Sequence, residues 1–248
     1  MLFELIIDGL TVDFGGFRAV DNFTTTVEQG ELRVILGPNG AGKTTLMDLI
    51  SGRTKVTSGT VQLFDKNITN LPEHKIARSG VGRKFQIPSV FRELTALENL
   101  EVAASEETSV LGSLKFSKKN KEIQIIDEVV ETCSLESFLN KPAGELAHGQ
   151  MQWLELGMLI AQRPKLILLD EPTAGMTRDE TYKTAEIIKQ LKGEHTLIVV
   201  EHDMAFIKEI AEKITVMHLG KLLAHGNISE IENNVAVQEA YLGSGGIH

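Results

Sequence analysis

The chain has 248 residues, 42% of them hydrophobic and 24% charged, with 22 glycines, one cysteine and a formal net charge of −9. That length can bury a sizeable core and suits one large domain or two lobes of one domain, while the acidic balance argues against a general affinity for nucleic acid and against attachment to a membrane by charge alone. No apolar run approaches the roughly 20 residues needed to cross a bilayer. The opening MLFELIIDG has acids where a signal peptide has lysines, and the single Cys133 has no partner for an internal disulfide, so the expectation is a cytosolic protein.

In chain order, the opening reads as β-rich. Leu5, Ile7, Leu10, Val12 and Phe14 alternate with polar or glycine positions, and Phe23–Val27 follows before a turn at Glu28-Gln29-Gly30. Leu32–Leu36 is a continuous apolar strand running into a glycine loop, Lys43–Ser51 is the helix after it, and Gly59–Phe64 is another short strand. From about Pro88 to Leu139 the spacing becomes helical. Leu94, Leu97 and Leu100 form one face, and Ile123, Ile126, Val130 and the core residue Cys133 form another, with a solvated basic loop at Lys115–Lys121 between them. Strands and helices then alternate: Leu166–Leu169, a helix over Arg178–Leu191, Thr196–Val200, a helix over Met204–Ala211, Ile214–Met217 and Leu222–Ala224. The alternation predicts an α/β fold with a mostly parallel sheet covered on both faces, the helical stretch being an inserted lobe.

Gly37-Pro38-Asn39-Gly40-Ala41-Gly42-Lys43-Thr44 fits the phosphate-loop pattern G-x-x-x-x-G-K-[ST] between an apolar strand and a helix. Glycines let backbone N–H groups curl around β- and γ-phosphates, the helix adds its positive end, and the Lys43 ammonium adds a point charge. Thr44 is expected to ligate Mg²⁺ and Thr45 to donate to an α-phosphate. Leu166–Leu169 delivers two acids, Asp170 and Glu171, to the carboxyl end of a buried strand, where open α/β sheets bind ligands. Asp170 is placed to hold the magnesium shell, and Glu171 to orient or deprotonate an attacking water.

The stretch LAHGQMQWLELGMLIAQRPKLILLDE, Leu146 to Glu171, joins a glycine-containing pentapeptide to that strand. Together with the phosphate loop, it makes nearly the whole chain resemble the ATP-binding-cassette (ABC) ATPases. The resemblance implies a P-loop NTPase core (1–87 and 163–248) with an N-terminal antiparallel β subdomain and a helical lobe over 88–162, all within one domain. It implies ATP and Mg²⁺ as cofactors and a head-to-tail dimer. In that dimer Leu146, Ala147, His148, Gly149 and Gln150 of one subunit press on the nucleotide of the second, and the helix they open carries Trp153, Leu156, Leu159 and Ile160 inward. Gln86 in GRKFQIP resembles the family's magnesium- and partner-sensing glutamine, and His202 in VVEHD its γ-phosphate-contacting histidine. Phe14 resembles the aromatic that stacks on adenine, with a core role as the other reading. The chain departs from the commoner LSGGQ at Ala147 and His148, losing a serine hydroxyl that His148 is expected partly to replace. It also departs at Thr177, where many relatives have aspartate.

GRKFQIPSVFRELTALENLEVA, HGQMQWLE, DEPTAGMT and the tail AYLGSG look like the ATPase subunit of a urea importer, within the branched-chain amino acid importer group. This resemblance implies membrane subunits docking on the segment after Gln86, with Val90 and Phe91, unless those side chains are core of the helical lobe. It also implies an extracytoplasmic substrate-binding protein acting indirectly, no nucleic-acid partner, and a peripheral position on the inner face of the cell membrane. A lipopolysaccharide-type exporter ATPase is the nearer alternative. A soluble ABC ATPase of repair or translation would need tandem cassettes or long coiled-coil insertions, which the sequence lacks.

Overall fold

A computed structural model describes residues 3–84, 90–105 and 116–242. Along the chain run β1 (Phe3–Phe14), β2 (Phe17–Glu28), β3 (Leu32–Leu36), α1 (Lys43–Ser51), β4 (Ser58–Leu63), β5 (Lys66–Asn67), α2 (Glu73–Arg78) and β6 (Val81–Lys84). A mainly helical stretch follows with α3 (Ala96–Ala104), α4 (Phe116–Cys133) and α5 (His148–Ala161). The rest alternates: β7 (Leu166–Asp170), α6 (Arg178–Leu191), β8 (Thr196–Val200), α7 (Met204–Ile210), β9 (Lys213–His218), β10 (Lys221–Gly226), α8 (Ile228–Glu232) and α9 (Val235–Leu242). Two compact units result, Met1–Arg83 with Lys165–Pro172 and Leu191–His248, and Lys84–Pro164 with Thr173–Gln190.

The first unit holds both sheets. The smaller has the order β2-β1-β4-β5 with antiparallel pairing. The larger has the order β10-β9-β3-β8-β7-β6. Within it β9, β3, β8 and β7 are mutually parallel, and the hairpin β9–β10 is antiparallel. Strands β3, β7 and β8 are buried at every residue, which is why they read as apolar runs and not as alternations. One hydrophobic core joins Leu5, Ile7 and Phe23 of the small sheet, Leu46, Met47 and Ile50 of α1, and Leu166, Leu168, Ile198 and Val200 from one face of the large sheet. The period of two along β7 and β8 selects those alternate residues for one face.

In the second unit α3 opens on a capping box, Thr95 accepting from the Glu98 N–H while Glu98 accepts from the Thr95 N–H. Asn99, fully buried, exchanges hydrogen bonds with Phe91 and donates to the Leu94 and Thr95 carbonyls. Trp153, Leu156, Leu159 and Ile160 all turn inward on α5, as expected, and Leu154 is also fully buried. Two expectations are corrected. The basic loop is no loop over its described part, because α4 begins at Phe116 and takes in Lys118, Lys119 and Lys121. The buried face of α4 is Ile125, Ile126, Val129, Val130 and Cys133, whereas Ile123 is exposed. Spacings of three and four fit both sets, and only the packing against α3 and α5 chooses between them.

Candidate functional site

Three parallel neighbours, β3, β8 and β7, end at one level, because Ile35 and Asp170 are both in register with Val200. Their carboxyl ends carry, in that spatial order, the phosphate loop, His202 and the Asp170-Glu171 pair. This is where an open parallel sheet receives its ligand. A cleft of about 270 Å³ at this edge is lined by Phe17, Ala19, the loop Asn39–Thr45 and Glu171.

The loop's geometry comes from its glycines. Gly42, the residue before α1, has φ +100°, and a Cβ there would stand 2.3 Å from the Ala19 carbonyl oxygen. Only glycine fits both the dihedral and the approach. Lys43 is buried, and its ammonium donates to the Gly37 and Pro38 carbonyls at 2.7 and 3.1 Å. Burial lowers its pKa, and the carboxylates of Glu171 and Asp170 oppose that shift.

Asp170 is buried at the end of β7, and burial raises its carboxyl pKa against the pull of Arg83 and Thr44. Arg83 of β6 stands 3.7 Å from Asp170 Oδ2 while donating to Asp48 Oδ1 at 2.6 Å and Ser51 Oγ at 2.8 Å. It thus joins the strand bearing Asp170 to the phosphate-loop helix. Asp170 Oδ1 is buried without a hydrogen-bond partner among the described residues. A buried, orphaned carboxylate oxygen next to the Thr44 hydroxyl is a donor set that suits a hard divalent cation.

Glu171 adopts φ +48°, a left-handed conformation uncommon outside glycine, and its N–H is pinned to the Val200 carbonyl at 2.9 Å. His202 Nδ1 lies 3.3 Å from Glu171 Oε1. The next residue, Asp203, caps α7 by accepting from the Ala205 and Phe206 N–H groups. The turn that presents His202 is therefore held on both sides.

The structure brings Gly37–Thr45, Asp170, Glu171 and His202 together at one sheet edge. Gln86 lies outside the described residues. Phe14 and Phe17 face each other across the β1–β2 hairpin, 55% and 66% exposed, and Phe17 is the one lining the cleft. The sequence reading singles out Phe14 and passes over Phe17, which hairpin register brings to the loop. Arg83 was missed because its acidic partners are remote in sequence. Within the second unit Leu146 is buried, Ala147 precedes α5, and the His148 ring faces the Ala174 carbonyl, Nε2 to oxygen 3.0 Å. Since a carbonyl only accepts, the proton of that bond sits on Nε2.

A family model described as ABC transporter matches residues 20–174. The chain is 39% identical to a high-affinity branched-chain amino acid transport ATP-binding protein of Pseudomonas aeruginosa, with 96% of this chain and 97% of that one covered. It is 37% identical to the Escherichia coli protein of the same description, at the same coverage. Among solved structures, an ATP-binding cassette of an ABC transporter in its ADP conformation superposes with a TM-score of 0.84 at 31% identity, covering 98% of this chain and all of that one. A nucleotide-free cassette gives 0.81 at 31% identity, with coverages of 97% and 99%. The chain belongs to the ABC transporter family and is one of its ATP-hydrolysing cassettes.

Proposed function

We propose that this chain is the ATPase subunit of an ABC importer and that it works as a dimer of cassettes beneath membrane permease subunits. The observation that carries the reading is the shared sheet edge. A phosphate loop with its lysine, a strand-end carboxylate pair and a histidine 3.3 Å from the second carboxylate stand at the ends of three adjacent parallel strands. Loop N–H groups and Lys43 take the phosphates, and Phe17, with Phe14 across the hairpin, offers an aromatic surface to the base. Thr44 and Asp170 would hold a magnesium ion, directly or through water, which supplies charge neutralisation to the phosphates when bound. Glu171 accepts a proton from water as its oxygen attacks the γ-phosphorus, and the bond to the β–γ bridging oxygen breaks, leaving ADP and phosphate. His202 keeps Glu171 in place and faces the same phosphate. LAHGQ of the partner copy closes the site, and exposed Phe91, held from beneath by buried Asn99, belongs to the permease-facing surface.

The cargo is a small amino acid or amide. The names of the relatives favour branched-chain amino acids, whereas HGQMQWLE and AGMT favour urea. Glu171→Gln should lower ATPase activity by about 10²–10⁴-fold, the range of a lost general base, and should trap an ATP-bound dimer on gel filtration. Hydrolysis at the parent rate would overturn the assignment. The cargo is decided by co-purifying the membrane subunits and comparing leucine and urea uptake, with Lys43→Ala as control. Lysine-dependent export in place of uptake would transfer the chain to the exporter class.

A further inference from the structure

The first turn of α5 lies against a carboxylate of another helix. Ala147 stands at the N-cap position with φ −60° and ψ 159° and has no side-chain oxygen to offer the first-turn amides. Its own N–H donates to Gln150 Oε1 at 3.1 Å, the reverse half of a capping box. A carboxylate of α6 stands opposite. Glu180 Oε2 accepts from both the N–H and the hydroxyl of Thr177 at 2.8 Å, and the same carboxylate stands against Gly149 at the first turn of α5. Its Oε1 presses so closely that a Cβ on residue 149 would stand 2.2 Å from it. One turn on, Trp153 Nε1 donates to Thr184 Oγ1 at 3.0 Å, and Lys183 Nζ lies 4.1 Å from the Trp153 ring centroid. Contacts 149–180 and 153–184 advance by four residues on both helices, so they form two rungs on facing stripes. His148, on the Ala174 carbonyl, fixes the residue between Ala147 and Gly149 to the segment following Glu171.

Resting on the ATPase reading above, we propose that Glu180 is a positioning residue: its carboxylate replaces the cap that Ala147 cannot give, bridges the first turns of α5 and α6, and so fixes the LAHGQ backbone relative to the segment after Glu171. Ala147 and Glu180 are then a compensating pair. A serine at 147 would present an oxygen to the same amides from within α5, making the borrowed carboxylate dispensable there. A simple cap of α6 by Glu180 predicts no such dependence on residue 147.

The test uses the full chain in a double-mutant cycle of Ala147→Ser and Glu180→Ala. Hydrogen exchange of the first-turn amides of α5 is read without nucleotide. ATP-driven dimerisation is read by sedimentation in the Glu171→Gln background with ATP and magnesium. Glu180→Ala should speed exchange at Gly149 at least tenfold and weaken dimerisation at least tenfold; with serine at 147 both effects should fall below threefold. Unchanged exchange in Glu180→Ala, or an equal effect with alanine or serine at 147, overturns the proposal. If Glu180→Ala does not fold, Glu180→Asp, one methylene too short to span both helices, should show the same pattern more weakly, and parent-like exchange in it overturns the proposal. Absence of an ATP-dependent dimer in Glu171→Gln alone would instead defeat the ATPase reading, and the exchange arm would still decide the role of Glu180.

Discussion

Single residues at the site bear costs that the surrounding fold imposes. Glu171 at φ +48° costs about 1 kcal/mol relative to an ordinary helical or extended residue. The Val200 carbonyl and the turn to Pro172 hold it there, aiming its carboxylate at His202 and the cleft. Glu4 shows the same tension away from the site. It is buried, its Oε2 accepts from the Thr196 hydroxyl at 2.9 Å, and its Oε1 has no hydrogen-bond partner among the described residues. Burial raises its carboxyl pKa, against weaker pulls from Thr196 and Lys165. A carboxyl whose folded pKa is raised adds stability below its unfolded value, and that stability is lost as pH rises through the folded value. Glu4→Gln keeps an acceptor for Thr196 and removes the buried charge. It should therefore raise Tm at pH 7 by about 2–4 °C, the shift for roughly 1 kcal/mol in a chain of this size, with the gain vanishing near pH 4. A gain of equal size at both pH values would show that ionisation is not its source.

At the scale of elements, register does the work. Ile35, Val200 and Asp170 share one level across β3, β8 and β7, so three loops far apart in sequence meet at one edge of the sheet. The loop after β3 depends on Gly42. Gly42→Ala must accommodate φ +100° and a Cβ 2.3 Å from the Ala19 oxygen. The variant should lose about 1–3 kcal/mol, read as a lower Tm and weakened ATP binding by calorimetry; parent-like binding would remove this account of the glycine. Much of the element plan was legible. Apolar runs marked β3, β7 and β8 because strands buried on both faces need no polar alternation. The phosphate-loop helix was marked by its glycines and lysine. The start of α4 and its buried face were not legible, since lysines suit an exposed helical turn as well as a loop, and two helical spacings competed until α3 and α5 covered one.

At the scale of the whole molecule, the chain divides into two compact units, and α6 sits with the helical lobe although it follows β7 in sequence. Its partners there are α5 residues: Thr184 takes the Trp153 indole N–H and Glu180 packs against Gly149. Cys133, buried in the same unit, reports on its integrity, because burial pushes its thiol pKa up to about 12. Labelling by a thiol reagent at pH 8 should be at least about 100-fold slower in the native protein than in denaturant, since thiolate and access both await opening. Rapid native labelling would mean that the helical unit opens readily.

The sequence by itself determined the chemistry and its order along the chain: phosphate loop, LAHGQ, paired carboxylates and His202, with the hydrophobic spacing that makes an α/β fold. These are local patterns, set by backbone dihedrals and side-chain type. Only the tertiary structure decided that Phe17 lines the cleft, that Arg83 reaches both Asp48 and Asp170, and that Glu180 of α6 stands against Gly149 at the start of α5. Each of these depends on strand register or helix packing between residues remote in sequence. Such contacts follow from which buried faces meet, and a pattern within one segment does not encode them.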